Sequence, residues 1–190
     1  MAIRKNKNHR KTKRTRNSRK QQTRRLAYLR KSGLMARGMS GGDVASMTTT
    51  YNTKAGKIPL ESRQMNIDMT EQYKQGQLAG EPSLAFTGLE SSRQYLLTMT
   101  DPDALGKTWT HWVVVVNSSG TVQTEIARYA PPSPPRGRHR YEFRLYGIDG
   151  SMGIPRNLET GGNERGTYFS QVLEQFIKDK KPILEASYIV

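Results

Sequence analysis

The run HWVVVV, His111 to Val116, constrains the fold of this chain more than any other stretch. It lacks the polar/apolar alternation of a strand with one wet face. A short, β-branched apolar run of this kind reads as a central strand covered on both sides, and hence as the middle of a layered structure. YLLTMT (95–100), TVQTEI (121–126) and HRYEFRLYGI (139–148) are likewise short and rich in β-branched and aromatic residues. They are bounded by DPD, NSSG and PPSPPRG, which are turn compositions. In the last of these strands Tyr141, Phe143 and Leu145 alternate with Glu142, Arg144 and Tyr146, which predicts one buried face and one wet face. TYFSQVLEQFIKDKK (167–181) places Phe169, Val172, Phe176 and Ile177 at helical spacing, and ILEASYIV (183–190) reads as a final strand. The expected fold is mainly β: an antiparallel or mixed β-sandwich with a few short helices and one C-terminal helix.

Charge divides the chain. Of 31 Lys and Arg, 15 lie between Arg4 and Arg37, before the first acid, Asp43. From residue 39 onward 16 basic residues face 16 acidic ones, so the formal +15 resides in the N-terminal segment. Residues 1–42 are therefore expected to be a disordered or extended polybasic arm, and 43–190 a single domain, with folded β patterns beginning near Tyr51 and GMSGGD (38–43) as the boundary. Within the arm, 22–37 has the apolar edge Leu26, Leu29 and Leu34 of a short basic helix formed on contact. The residues placed to neutralise nucleic-acid phosphates are Arg4, Lys5, Lys7, Arg10, Lys11, Lys13, Arg14, Arg16, Arg19, Lys20, Arg24, Arg25, Arg30 and Lys31. A flexible cationic segment of this kind threads between phosphates, as in subunits of ribosome-like or viral particles. KTKRTR also fits a nuclear import signal, and an acid-free, Arg-rich N-terminus fits a mitochondrial presequence.

Several classes of function are excluded or disfavoured. There is no cysteine, so disulfides, thiol catalysis and thiolate metal sites are out. Three histidines without helical H-E-x-x-H spacing give no reason to expect a metal, and neither a metal nor another cofactor is expected. The apolar run ending at Val116 is too short to span a bilayer, and the N-terminus lacks the apolar stretch of a secretory signal, so the chain is expected to be intracellular. No nucleophile elbow, Walker loop or glycine fingerprint is present, so no enzyme is expected.

Two stretches carry polar chemistry. MTDPDALGKTWTHW (99–112) and YAPPSPPRGRHRYEF (129–143) are strand edges joined to Pro/Gly turns, and each delivers one histidine, His111 or His139. Two imidazoles, Asp101, Asp103 and nearby arginines can line one pocket. Alternatively, the aspartates cap a turn by accepting backbone N–H groups and the histidines are satisfied polar residues. Asp101-Pro102-Asp103-Ala104, His111-Trp112 and Pro134-Pro135-Arg136-Gly137-Arg138-His139-Arg140-Tyr141 together resemble the two signature regions of the phosphatidylethanolamine-binding protein family, which includes the Raf kinase inhibitor proteins and plant flowering regulators. The resemblance covers about residues 50–190. It implies a β-sandwich with a small anion pocket for phosphate-like groups, including phospholipid head groups, lined by Asp101, Trp109, His111, His139 and Tyr141. The partner implied is a phosphate-bearing small ligand or an acidic peptide, bound without catalysis. Added to the arm, this gives a binding or scaffold domain tethered to nucleic acid in a nucleus or nucleoprotein particle. The alternative is a particle subunit whose pocket is vestigial. Two positions depart from the family pattern: Leu105 replaces a proline, and Pro131, which has no N–H, stands where a glycine is frequent. The short Asp103–His111 loop is expected to leave the pocket mouth open.

Overall fold

The computed structural model describes residues 44–148, 155, 158 and 164–190. The arm, its helix at 22–37 and the GMSGGD boundary lie outside the described residues. Among the described residues, nine strands form two sheets. A three-stranded antiparallel sheet has the order β2-β1-β4, with β1 Ser46–Thr53, β2 Gly56–Glu61 and β4 Ser83–Thr87. A six-stranded mixed sheet has the order β3-β9-β8-β5-β6-β7, with β3 Ile67–Asp68, β5 Gln94–Asp101, β6 Trp109–Val116, β7 Val122–Ala127, β8 Arg140–Ile148 and β9 Leu184–Ile189. Its only parallel pairing among the described residues joins β3 to β9. Helix α1 spans Thr70–Lys74. Near the C-terminus α2, Glu164–Tyr168, runs through a π-helical turn, Phe169–Leu173, into α3, Glu174–Ile177.

The expected sandwich is present, but HWVVVV is not its central strand: it lies in β6, an interior strand between β5 and the edge strand β7, and it is covered on both faces as expected. Trp112, Val114 and Val116 pack with Tyr95, Leu97, Phe143 and Tyr188 against Met47, Tyr51, Leu60 and Phe86 of the small sheet. Val113 and Val115 pack on the opposite face with Leu96, Ile126 and Tyr146 against Tyr168 and Leu173 of the C-terminal helical segment. Both faces are apolar because both are covered, and a strand in that position has no wet side to encode. The folded pattern starts before Tyr51: β1 opens at Ser46 and buries Met47, Thr49 and Tyr51 in alternation. The expectation for β8 also needs correcting. Glu142 and Tyr146 are buried alongside Tyr141, Phe143 and Leu145. Tyr146 faces the helical segment, and Glu142 is flanked by the arginines it pairs with, Arg140 at 3.0 Å and Arg144 at 2.8 Å.

The turn between β6 and β7 is made by Asn117, whose side-chain oxygen accepts the N–H of Ser119 at 3.0 Å and that of Thr121 at 2.9 Å. Here Gly120 has φ +98°, and a Cβ on it would stand 2.5 Å from the Leu84 carbonyl oxygen of β4. Both conformation and space thus require glycine. Gly120→Ala is expected to lower stability in urea unfolding by about 3 kcal/mol. Gly76→Ala, at φ +68° with open space around its Cβ, should lose only about 1 kcal/mol.

Candidate functional site

Strand pairing brings the two signature stretches together. β5 and β6 pair Met99 with Trp112 and then Thr100 with Thr110, so His111 is an extra residue without a partner on β5. This bulge re-aims the side chain. Strict alternation would send His111 toward the helix side with Val113 and Val115. Instead its ring meets Tyr141, which belongs to the inter-sheet core, edge-on at 5.0 Å. His111 is 5% exposed. Its Nδ1–H donates to the Ala130 carbonyl at 2.8 Å, and the Ala130 N–H donates back to the His111 carbonyl at 2.8 Å. A carbonyl only accepts, so this bond sets the tautomer and leaves Nε2 with its lone pair. Burial holds the imidazole below its usual titration range, and the Ala130 bond and the Asp101 charge offset this in part.

Asp101 ends β5, and His139 precedes β8, the neighbour of β5 on its other side. Both are buried, with Asp101 only 3% exposed. His139 Nδ1 is hydrogen-bonded to Asp101 Oδ2 at 2.7 Å, and His139 Nε2–H donates to the Arg136 carbonyl at 3.1 Å. Both ring nitrogens are thereby engaged, one by a carboxylate and one by a carbonyl. Asp101 Oδ1 accepts the Asp103 N–H at 2.9 Å, while Asp103 Oδ2 accepts the Arg140 N–H at 2.9 Å. The two readings of the aspartates therefore coexist: both cap backbone N–H groups, and Asp101 also orients a histidine. Trp109 is half-buried and pairs with Asp101 across the β5–β6 ladder.

Tyr141 stacks on Tyr188 at 5.3 Å, and its hydroxyl accepts the Ser133 N–H at 3.3 Å. Burial pushes its phenol above the usual range. Behind it, Tyr188 and Tyr51 join hydroxyls at 3.0 Å, Tyr51 and Tyr129 at 3.3 Å, and Tyr129 donates to the Leu78 carbonyl at 2.8 Å. This chain ties both sheets to the start of the Pro-rich loop.

The open mouth expected from the short Asp103–His111 loop is not what the structure shows. Ala130, Ser133 and Arg136 of the Pro-rich loop place backbone groups on His111, Tyr141 and His139, and these three side chains are buried. Two surface grooves among the described residues lie beside this cluster without including its buried side chains. One of about 410 Å³ is lined by Asp68, Thr70, Glu71, Gln72 and Arg138, and another of about 270 Å³ by Asn66, Asp103, Arg138, Arg140 and Ile189. Leu105, where the family has proline, is 78% exposed, and Pro131 is exposed as well.

The model of the phosphatidylethanolamine-binding protein family matches residues 53–183. The chain belongs to this family. It is 34% identical over 110 residues to a UPF0098 protein of Methanothermobacter thermautotrophicus, a match covering 44% of this chain and 67% of that protein. It is 35% identical over 89 residues to a UPF0098 protein of Aquifex aeolicus, covering 35% of this chain and 52% of that one. A crystal structure of a putative phosphatidylethanolamine-binding protein homolog from Chlamydia trachomatis is 19% identical with a TM-score of 0.43, over 67% of this chain and 91% of that one. Members of the phosphatidylethanolamine-binding protein family are generally ligand-binding and non-catalytic. Among the described residues no helix is long and apolar enough to cross a membrane.

One residue at the site of this family member had no signal in the sequence. Arg165 of α2 is 8% exposed, and its guanidinium donates to the Thr110 carbonyl at 3.0 Å, the His111 carbonyl at 3.1 Å and the Arg128 carbonyl at 3.0 Å. Beside it the Lys107 stem crosses Gly166, where a Cβ would stand 2.7 Å from Lys107 Cε, and Lys107 Nζ donates to Thr167 Oγ1 at 3.0 Å.

Proposed function

We propose that residues 43–190 bind a small phosphate-bearing ligand, without catalysis, at the cluster of Asp101, Trp109, His111, His139 and Tyr141, and that residues 1–42 tether this domain to nucleic acid in a nucleus or nucleoprotein particle. The observation that carries the pocket reading is the uncommitted Nε2 of His111. A bulge turns the ring toward Tyr141, Ala130 fixes its tautomer, and no hydrogen bond among the described residues uses this nitrogen. A neutral Nε2 accepts rather than donates, so it suits a phosphate that still carries a proton. It suits a fully ionised phosphate only after His111 itself takes up a proton. Admission of the ligand requires Ser133 and Arg136 to leave Tyr141 and His139, which frees a hydroxyl and a ring N–H for phosphate oxygens.

The tether is supported by where free positive charge remains. Three of the arginines around the second signature region face carboxylates: Arg138 faces Asp68 at 2.7 Å, Arg140 faces Glu142 at 3.0 Å and Asp103 at 3.8 Å, and Arg144 faces Glu142 at 2.8 Å and Glu185 at 3.9 Å. The arm has no acid of its own. A polyanion therefore meets its strongest field at residues 4–37.

Titration of the protein with inorganic phosphate and with phosphoethanolamine, followed by NMR, tests the pocket. Shifts should centre on His111, His139 and the Ser133–Arg136 amides, with a dissociation constant on the order of micromolar to millimolar. Binding should take up protons, because a bound anion raises an imidazole that is held low in the free site. Affinity should accordingly rise from about pH 8 to about pH 6. Sulfate, which does not titrate in this range, should show the same trend. Shifts that miss both histidines, or that survive His111→Ala with His139→Ala, would refute the assignment.

A further inference from the structure

The bulge that aims His111 is held from the helix side as well as by the β-ladder. The carbonyls of Thr110 and His111 lie where the β5–β6 pairing slips, and the His111 carbonyl already takes the Ala130 N–H. A buried guanidinium is unfavourable unless its donors are used. Arg165 uses its donors here, giving Nη1 to the Thr110 and His111 carbonyls and Nη2 to the Arg128 carbonyl. Arg128 follows β7 and stands two residues before Ala130, the residue that holds the His111 ring. One planar fork thus spans the bulge and the root of the Pro-rich loop.

We propose that Arg165 is a positioning residue for ligand binding: by clamping the β6 bulge to the root of the loop it keeps Nδ1–H of His111 on Ala130 and presents Nε2 to the ligand. The inference rests on the reading of His111 as a ligand contact, yet its first readout needs no ligand. The charged and titratable groups acting on His111 come from three sides: Asp101 at the end of β5, His139 before β8, and Arg165 from α2. Asp101 favours the protonated ring, whereas Arg165 and His139 oppose it. Arg165 holds the ring buried against Ala130, burial being the main reason the ring titrates low, and its positive charge adds to that effect while the Ala130 bond opposes it.

The full chain, as wild type, Arg165→Lys and Arg165→Met, is to be followed by long-range proton–nitrogen NMR of the His111 ring. Lysine keeps the charge but loses the fork, and methionine keeps the stem but loses the charge. In wild type the ring should be a single Nδ1–H tautomer. In both variants it should become a tautomer mixture, and in Arg165→Met, which also removes a positive charge that opposes protonation, its protonation midpoint should rise. The dissociation constant for inorganic phosphate should weaken about tenfold, the size of effect typical for partners that orient a ligand-holding histidine. A folded variant whose His111 tautomer, midpoint and phosphate affinity all match wild type overturns the proposal. If neither variant folds, wild type still decides. The Arg165 Nη–H resonances should shift when His111 titrates, and resonances that ignore the titration overturn the proposal equally. If wild-type protein fails to bind phosphate at His111, the ligand reading fails, while the ring tautomer continues to report on Arg165 alone.

Discussion

Asp101→Ala is expected to lower stability by about 3 kcal/mol, because it leaves the buried His139 ring and the Asp103 N–H without their partner. Three consequences combine in that substitution. His139 loses its Nδ1 partner at 2.7 Å, the Asp103 N–H loses its acceptor at 2.9 Å, and the imidazole stays buried against the Arg136 carbonyl. Asp101→Asn separates charge from geometry. Its amide oxygen can still take the Asp103 N–H, while its NH₂ faces Nδ1. The ring can then accept at Nδ1 and donate from Nε2 to the Arg136 carbonyl. That exchange leaves every polar atom paired, so the loss should shrink to about 1–2 kcal/mol. A double-mutant cycle with His139→Ala in urea unfolding should show Asp101→Ala becoming much less harmful once the imidazole is gone. Equal losses for Asn and Ala, or strict additivity with His139→Ala, would mean that the pair contributes no coupling.

The layered β architecture was legible in the sequence where strands are bounded by strong turn signals. NSSG and PPSPPRG bracket β6, β7 and β8, and the four valines after Trp112 have no wet face to alternate with. The small sheet was harder to see. Threonines dominate β1, so its buried face consists of Met47, Thr49 and Tyr51, and β3 has only two residues, both exposed. The wet face predicted for β8 failed at Glu142 because two arginine side chains, not apolar ones, accompany it. At the site, Asp101, His111, His139 and Tyr141 were chosen from their motifs, and the fold gathers them. What the sequence could not convey depends on register and on distance along the chain. The bulge exists only when β5 is laid beside β6. Arg165 meets the carbonyls it holds across 55 and 54 residues, and a lone arginine after a Gly-rich stretch carries no periodicity that marks it as buried.

Deletion of residues 1–42 should abolish retention on nucleic acid, and this is the largest binding effect expected. The folded part has equal numbers of acidic and basic residues, and Arg138, Arg140 and Arg144 already face carboxylates, so recruiting them for phosphates would first break those ion pairs. The segment from Arg4 to Arg37 instead holds 15 positive charges with no opposing acid. If about eight of them contact phosphates at once, log K should fall with log salt at a slope of roughly −7 on duplex DNA, and less steeply on a single strand. Between about 50 and 200 mM salt that corresponds to a loss of roughly 10³–10⁵ in affinity. Replacing one arginine, for example Arg14→Ala, should reduce the slope by about one unit without changing which sequence is preferred. Tyr28 is the only aromatic residue of the arm, so base stacking cannot supply much sequence readout. The full chain should therefore bind RNA and DNA alike at low salt, while residues 43–190 wash through. Comparable retention of 43–190 would remove the arm from the binding role and shift it to Arg136 and the neighbouring arginines, whose carboxylate partners would then have to yield to phosphate.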